Sequence, residues 1–266
     1  MSDRYQRQSF LGKNSQPKIE RVRIGVVGLG GGGSHVVQQL AHIGFQDYVI
    51  CDPQTVEDTN LNRLVGGRLK DIGQPKLAVA KRIIRGLQRK AKITAIADRW
   101  QNWCDAFMFC DVIFGCLDSF QDRDEIETFC RRHLIIYIDI GMDVHKVEND
   151  PPRMAGQVIL SAPGGPCMKC LGFITPEGIA QEAAAYGAAG HRPQVVWPNG
   201  ILASSAVGVA VNAITGWTGK TPSPVYLSYD GNAGLVQVHP RLEYQTTTQC
   251  PHYPLSKAGK PILKQL

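Results

Sequence analysis

The sequence predicts an α/β protein built on a doubly wound, mostly parallel sheet with an antiparallel C-terminal extension. Strand-like and helix-like patterns alternate over the first half of the chain, as they do when helices connect parallel strands. A glycine-rich turn joins the first strand to the first helix. The apolar run 134–140 is typical of a strand that lies inside a parallel sheet.

The first half of the chain predicts a parallel sheet of the kind that binds nucleotides. Its predicted elements are, in order, a strand at 22–27, a helix at 36–43, a strand at 48–51, a helix at 75–87, strands at 93–97 and 112–116, a helix at 121–132 and the strand at 134–140. This order is Rossmann-like, and such folds bind ligands at the carboxyl ends of their strands.

In the second half, strands and helices no longer alternate regularly, and this pattern predicts the antiparallel extension. Strands are predicted at 154–160, 225–229 and 235–239, and a helix packed by small residues at 199–217. Between them runs a long connection, 172–198, rich in Ala, Gly and Pro, and connections of that length are more often functional than idle. Residues from Lys257 onward are basic and are predicted to be mobile.

Composition restricts the class of protein. The 266 residues, 43% of them hydrophobic and 20% charged, suit one large α/β domain or two small ones, with an ample core in either case. No apolar run reaches the roughly 20 residues of a membrane span, and the polar N-terminus lacks a signal-peptide core, so we expect a cytosolic location. The net charge of +6 is scattered, and its cluster at 81–90 suits a solvated helix face, with nucleic acid or an acidic protein as the alternative partner.

The glycine loop 28–34 predicts a phosphate site. It follows a strand and precedes a helix, so that bare backbone N–H groups and the positive end of a helix face the ligand. Gly28, Gly30 and Gly33 also satisfy the dinucleotide fingerprint, and Asp52 follows about 20 residues on, where an acid binds ribose. Taken alone, these residues favour a nicotinamide or flavin enzyme.

Five other motifs are not typical of a nicotinamide or flavin enzyme. They are Arg4-Tyr-Gln-Arg7-Gln8, Asn60-x-x-Arg63, Gly73-Gln-Pro-Lys76, Asp118 at a strand end followed by Arg123, and Cys167-x-x-Cys170. Together with the glycine loop, this set resembles the ubiquitin-activating-type adenylyltransferases, the ThiF/MoeB/HesA family, from about residue 4 to residue 170. The resemblance implies ATP-dependent adenylation of the C-terminal glycine carboxylate of a ubiquitin-like or sulfur-carrier β-grasp protein, giving acyl-AMP and pyrophosphate.

The chemistry suits these residues because the attacking carboxylate is already ionised at neutral pH and needs no general base. The site must align that carboxylate with the α-phosphorus and neutralise the triphosphate. By resemblance, the residues that cradle or contact ATP are Gly28, Gly30, Gly31, Gly33, Ser34, Asp52 at the ribose, Asn60, Arg63 and Lys76 at the phosphates, and Asp118 at Mg²⁺. Arg7 matches an arginine that reaches the γ-phosphate from the other subunit of a homodimer.

Each assignment has a structural alternative. Arg63 and Lys76 could be surface charges, and Arg7 could pair with a surface acid. Asp118 could cap the helix that follows it, since Asp is a preferred N-cap residue. Asn62 resembles a second asparagine of the same loop.

The eight cysteines indicate free thiols, a metal site or catalysis rather than disulfides. Cys167 and Cys170 have the spacing of a zinc pair, and Cys250 with His252 would complete a Cys₃His site in place of the second C-x-x-C that family members often carry. The alternative is two free thiols and no metal. Thioester-forming relatives carry a catalytic cysteine in the long connection, but 172–198 contains none. We therefore expect adenylation without that thioester, with the acyl group passing to a thiol acceptor or a sulfur donor.

Competing functions follow from the same features. They are a tRNA-modifying adenylating dehydratase of the same superfamily, an NAD-binding oxidoreductase, and a non-catalytic nucleotide-binding subunit. The Asn60-x-x-Arg63 motif and Lys76 argue against the oxidoreductase, and the N-terminal motif and zinc pair favour a protein substrate. The expected organisation is one domain with a nucleotide-binding half, 1–141, and a zinc- and protein-substrate-binding half, 142–266.

Overall fold

The chain forms one mixed sheet with helices on both faces. A computed structural model describes residues 3–185, 193–220, 224–245, 250–254, 256 and 258. The elements are α1 (Ser15–Arg21), β1 (Arg23–Val27), α2 (Gly31–Ile43), β2 (Asp47–Cys51), α3 (Lys76–Leu87), β3 (Lys92–Ile96), α4 (Cys104–Phe107), β4 (Val112–Gly115), α5 (Phe120–Arg132), β5 (Ile136–Val147), β6 (Asp150–Ser161), α6 (Pro176–Ala185), α7 (Val196–Thr215), β7 (Val225–Asp230) and β8 (Leu235–Val238).

The topology of the sheet confirms the predicted fold class. In the described residues the strand order is β3-β2-β1-β4-β5-β6-β7-β8. The first five strands in this order are parallel to one another, and β6, β7 and β8 add antiparallel strands beyond β5. The carboxyl ends of β1, β2 and β4 therefore meet at one edge, which is where a doubly wound sheet binds its ligand.

Two apolar layers cover the two faces of the sheet. Alternate residues of each strand point to opposite faces, so Val26 packs in one core and Val27 in the other. The first core lies beneath α2, α3 and α7, and the second lies beneath α4 and α5. Burial on both faces explains why the parallel strands have few polar residues.

Several boundaries differ from the sequence-based prediction. Helix α2 begins at Gly31 rather than at residue 36, so the second half of the glycine run is helical. Strand β5 begins at Ile136, because Leu134 has a positive φ of 59° and forms the turn before it. The predicted connection 172–198 contains α6, and α7 begins at Val196 and ends at Thr215.

The N-terminal motif forms structure that the sequence did not predict. Asp3–Leu11 is a 3₁₀ segment, and α1 follows it. The predicted mobile terminus lies outside the described residues except for position 258. In the described part of the chain, no helix combines the length and apolar character needed to cross a membrane. The cytosolic location stays a prediction.

Candidate functional site

The glycine loop closes against the neighbouring strand end, with no room for side chains at two positions. Gly28 has a φ of 86°, and a Cβ on it would collide with the carbonyl oxygen of Cys116. A Cβ on Gly33 would collide with the carbonyl oxygen of Gly28. Around Gly30, by contrast, nothing lies within 4 Å of the Cβ position. The loop is therefore packed on its inner side and open where a phosphate would approach.

Helix α2 presents its first turn at this opening. Gly31 lies against the carboxamide of Asn199 in α7, whose Nδ2 would be 2.6 Å from a Cβ on Gly31. Ser34 turns its hydroxyl inward, donating to Gly31 O at 3.0 Å and accepting from Val65 N at 3.0 Å. Ser34 thus fastens the phosphate loop to the segment that carries the Asn60 motif.

Asp52 is buried at the end of β2 and braces the loop. Its Oδ2 accepts from the backbone N–H of Leu29 at 2.7 Å, and its Oδ1 accepts from the backbone N–H of Gln54 at 2.8 Å. Only 4% of the residue is exposed. The predicted ribose ligand thus lies beside the predicted phosphate loop, held by two backbone donors.

Lys76 is also buried, with 7% of its surface exposed, at the first position of α3. Its Nζ donates to Oε1 of Gln54 at 2.6 Å. The alternative interpretation of Lys76 as a surface charge is wrong, because surface lysines are largely exposed to solvent and Lys76 is buried. Gln54 is not predicted from the sequence as a residue of this site. Its position two residues after Asp52 is the sequence feature that indicates it.

The Asn60 motif forms a tight turn above the loop. Asn60 is buried, and its Oδ1 accepts from Glu57 N at 3.2 Å, which closes the turn. Arg63 is half-buried and donates through Nη1 to Thr59 O at 2.7 Å and to Asn62 Oδ1 at 3.0 Å. The carboxamide oxygen of Asn60 therefore stabilises the turn, and the guanidinium of Arg63 is hydrogen-bonded to residues of the same turn.

Asp118 faces this turn from the end of β4. The carboxamide of Gln194 donates to Asp118 Oδ1 at 3.4 Å, while the carbonyl of Gln194 accepts from Asn62 at 3.0 Å. Ser119 caps α5 by accepting from Asp122 N at 3.0 Å, so Asp118 is not the capping residue. The long connection therefore passes between the two loops that bear the predicted ATP ligands.

A buried charge network supports the Asp118 loop from below. Arg123 donates to both carboxylate oxygens of Asp139 and to the carbonyl of Leu117. The hydroxyl of Tyr137 donates to Asp139 Oδ1 at 3.0 Å, and Nε2 of Gln157 donates to Asp139 Oδ2 at 3.1 Å. The prediction that 134–140 is a fully apolar strand is wrong at one position. Asp139 is a buried acid within β5, and it is tolerated there because it neutralises Arg123.

Arg7 lies at the opposite end of α2 from the glycine loop. Its neighbours hold the 3₁₀ segment to helix C-termini: Arg4 donates to Leu87 O at 2.6 Å, and Gln8 donates to Ile43 O at 2.9 Å. The 13 residues of α2 span roughly 20 Å, so Arg7 lies far from the glycine loop of the same chain. Arg7 is exposed.

Cys167, Cys170, Cys250 and His252 come together on the other half of the chain. Their sulfur and nitrogen ligand atoms all lie within 4.8 Å of one another. The sulfurs of Cys167 and Cys170 are 3.6 Å apart, and Nδ1 of His252 is 3.4 Å from each of them. A tetrahedral zinc with bonds of about 2.3 Å needs ligand separations of about 3.8 Å, so the donors fit such an ion.

The segment that carries Cys167 and Cys170 is anchored to α5. The backbone N–H of Met168 donates to Oε1 of the buried Glu127 at 2.8 Å. Burial raises the pKa of Glu127 to about 7. This contact could not be predicted from the sequence, because Glu127 lies 40 residues from Cys167 along the chain.

The cysteines near the nucleotide loop have the environment of core residues. Burial raises the pKa of Cys51 to about 12, and burial also raises that of Cys116. A thiol whose pKa is raised is a poor nucleophile at neutral pH. These two side chains therefore contribute packing, as expected from the sequence.

Fold and site together define a nucleotide-binding enzyme of the activating, adenylating class. The sequence profile of the ThiF family matches residues 3–252, and the chain belongs to this family. It is 30% identical over 200 residues to the SAMP-activating enzyme E1 of Haloferax volcanii, covering 73% of this chain and 71% of that protein. It is 26% identical over 258 residues to the sulfur carrier protein adenylyltransferase of Thermus thermophilus, covering 94% and 89%.

The fold has close structural relatives. A crystal structure of E. coli MccB with ATP superposes with a TM-score of 0.73 at 20% identity, over 90% of this chain and 71% of that one. The named homologues are adenylyltransferases and activating enzymes, which confirms the predicted enzyme class. The oxidoreductase and tRNA-dehydratase alternatives are not favoured.

Proposed function

We propose that this protein uses ATP to adenylate the C-terminal glycine carboxylate of a ubiquitin-like or sulfur-carrier β-grasp protein. One observation carries the proposal: an open glycine loop, a buried ribose-type acid and a buried lysine meet at one sheet edge, at Gly30, Asp52 and Lys76. The relatives named above act on SAMP and sulfur-carrier proteins. Release of acyl-AMP and pyrophosphate follows from attack of the carboxylate on the α-phosphorus.

The residues of the chain would bind and orient rather than transfer protons. Asp52 would accept hydrogen bonds from the ribose hydroxyls, while Gly28, Gly30, Gly31, Gly33 and Ser34 form the phosphate cradle. Asn60, Arg63 and Lys76 would contact the triphosphate, and Arg63 must first leave Thr59 O, its partner at 2.7 Å. Positive charge held in this way stabilises the negative charge that develops on the departing pyrophosphate.

Asp118 is the proposed Mg²⁺ ligand. Asp118 lies three residues after the end of β4 at Gly115, on the edge that carries the glycine loop. Mg²⁺ prefers one or two carboxylates together with substrate phosphates. The ion would neutralise phosphate oxygens and orient the triphosphate. Gln194, which contacts Asp118 at 3.4 Å, would have to exchange its partner when the ion binds.

The Cys₃His cluster is proposed as a structural zinc site. Three thiolates and one imidazole are a donor set that zinc favours, and four protein ligands leave no open position for chemistry. The ion would join the 167–170 segment to residues 250–252, which supports the division into a nucleotide-binding half, 1–141, and a zinc- and substrate-binding half, 142–266.

We further propose a homodimer in which Arg7 serves the partner's ATP site. The distance of Arg7 from its own glycine loop supports a role in trans, as does the exposed aromatic pair Phe10 and Trp217, whose ring centroids are 5.4 Å apart beside it. After adenylation, a thiol acceptor or a sulfur donor would take the acyl group, because 172–198 contains no cysteine.

Pyrophosphate exchange tests the proposal. The protein, ATP and Mg²⁺ are mixed with labelled pyrophosphate and a panel of purified β-grasp proteins ending in Gly-Gly. We expect label to enter ATP only with a cognate partner whose terminal carboxylate is intact. A matched partner lacking its last glycine is the control. Exchange with tRNA and with no β-grasp protein would contradict the proposal.

A further inference from the structure

Helix α5 contacts both segments that carry the Cys₃His cluster. On the side of the cysteine pair, the backbone N–H of Met168 donates to Glu127 Oε1 at 2.8 Å. On the side of His252, the hydroxyl oxygens of Thr128 and Tyr253 are 2.9 Å apart and share a hydrogen bond. Because positions 127 and 128 are adjacent on α5, one turn of this helix touches both of the segments that would supply ligands to zinc.

The turn formed by residues 167–170 brings two of the sulfurs together. The backbone N–H of Cys170 donates to Cys167 Sγ at 3.5 Å, and the two sulfurs lie 3.6 Å apart. Met168, between them, is fully buried, so its backbone N–H needs a partner inside the protein. Glu127 supplies that partner, and its carboxylate therefore helps to fix the turn in the conformation that a tetrahedral ion requires.

The burial of Glu127 distinguishes it from the other acid of α5 that holds this turn. Lys169 pairs with Asp124 at 2.7 Å, but both side chains are partly exposed, and such pairs contribute little. Glu127 is fully buried, and in the described part of the chain it takes part in no ion pair. A buried carboxylate without a paired cation destabilises a fold, so its value to the protein lies in what it holds in place.

We infer that Glu127 is a positioning residue for the zinc site, which holds the turn 167–170 so that the two sulfurs are set for the ion before it binds. The inference rests on the proposed zinc site and is independent of the adenylation chemistry. Groups that hydrogen-bond around metal ligands fix the orientation of those ligands. Since the donor is a neutral backbone N–H, the turn needs the acceptor oxygen of Glu127 rather than its negative charge.

The test compares Glu127→Leu with Glu127→Gln. Each full-length protein is freed of metal with a chelator and titrated with Co²⁺, whose visible absorption reports tetrahedral thiolate ligation, and competition with Zn²⁺ gives the zinc affinity. Glu127→Leu removes the acceptor, so we expect the affinity to fall about 10- to 100-fold. Glu127→Gln keeps an acceptor oxygen and should bind as tightly as the wild type. The unfolding temperature of metal-free Glu127→Leu should not fall in parallel, because the substitution also removes an unpaired buried carboxylate.

Glu125→Leu is the matched control on the same helix. The carboxylate of Glu125 accepts from Gln101 and Gln121 instead of from the cysteine segment, so its removal should leave the metal affinity unchanged. Wild-type affinity in Glu127→Leu would overturn the inference. A loss of affinity in Glu127→Gln would also overturn it, whatever the behaviour of the leucine variant. Absence of a Co²⁺ spectrum from the wild-type protein would overturn the zinc site and this inference together, whereas pyrophosphate exchange by the same sample tests the adenylation separately.

Discussion

Arg123 and Asp139 form a buried ion pair beneath the loop that carries Asp118. Asp139 is fully buried, and Arg123 uses its second nitrogen to hold the carbonyl of Leu117. The pair therefore connects the interior of the sheet to the loop beside the glycine turn. Because Cys116 in turn supports Gly28, the same pair underlies both walls of the nucleotide site.

Removing the acid of this pair should destabilise the fold strongly. Asp139→Asn leaves the guanidinium of Arg123 buried without a counter-charge, which costs about 3–5 kcal/mol of unfolding free energy. Urea denaturation measures this loss. The control is Asp143→Asn on the same strand, since Asp143 is 38% exposed and 3.7 Å from His145, and a surface pair contributes about 0–1 kcal/mol. Equal losses in the two variants would contradict the assignment of Asp139 as a buried counter-charge.

Replacing Lys76 should separate stability from activity. Lys76→Met removes an incompletely compensated buried charge, so the free protein should be at least as stable as the wild type. Pyrophosphate exchange should fall by about two to three orders of magnitude, the cost of losing one preorganised charge donor. Lys81→Met, an exposed position on the same helix, is the control and should retain exchange. Full exchange by Lys76→Met would remove this lysine from the proposed site.

The zinc assignment predicts a stoichiometry that depends on Cys250. Purified protein should contain one zinc per chain by elemental analysis, and Cys250→Ser should lose it, because three donors with one weak ligand bind zinc poorly. Cys104→Ala removes a buried thiol that is not among the four clustered donors, and it should keep the ion. Chelation should lower the unfolding temperature of the wild type and leave that of Cys250→Ser unchanged. Zinc retained by Cys250→Ser would exclude Cys250 as a ligand.

The trans role of Arg7 predicts complementation between two defective subunits. Arg7→Ala and Lys76→Met should each abolish exchange in a homodimer. In a mixed dimer, one nucleotide site has an intact Lys76 and receives an intact Arg7 from the partner. Co-expression at equal levels should therefore restore about one quarter of the wild-type activity, since half of the dimers are mixed and each has one intact site. No recovery in mixed dimers would indicate that Arg7 acts within its own subunit or not at all.

The absence of cysteine from 172–198 predicts that the acyl group leaves the adenylate without a thioester in that connection. After incubation with the partner protein and ATP, the enzyme should carry no covalent acyl adduct that thiols release. Intact mass spectrometry of the enzyme after the reaction checks this. Cys51 and Cys116 should also stay unmodified, because burial raises the pKa of both thiols. A thiol-sensitive adduct on either one would contradict their assignment as packing residues.

The sequence by itself determined the fold class, a mostly parallel sheet with an antiparallel extension, together with the glycine loop and the chemical class of the site. Alternating apolar patterns define strands and helices locally, and Asp52, Lys76 and the Cys167–Cys170 pair belong to motifs that are contiguous in the chain. Only the tertiary structure decided that Gln54 holds Lys76, that Asp139 neutralises Arg123, and that His252 joins the cysteines. These contacts depend on how strands and helices pack across the sheet, and a periodic pattern carries no information about which distant polar group will meet a buried charge.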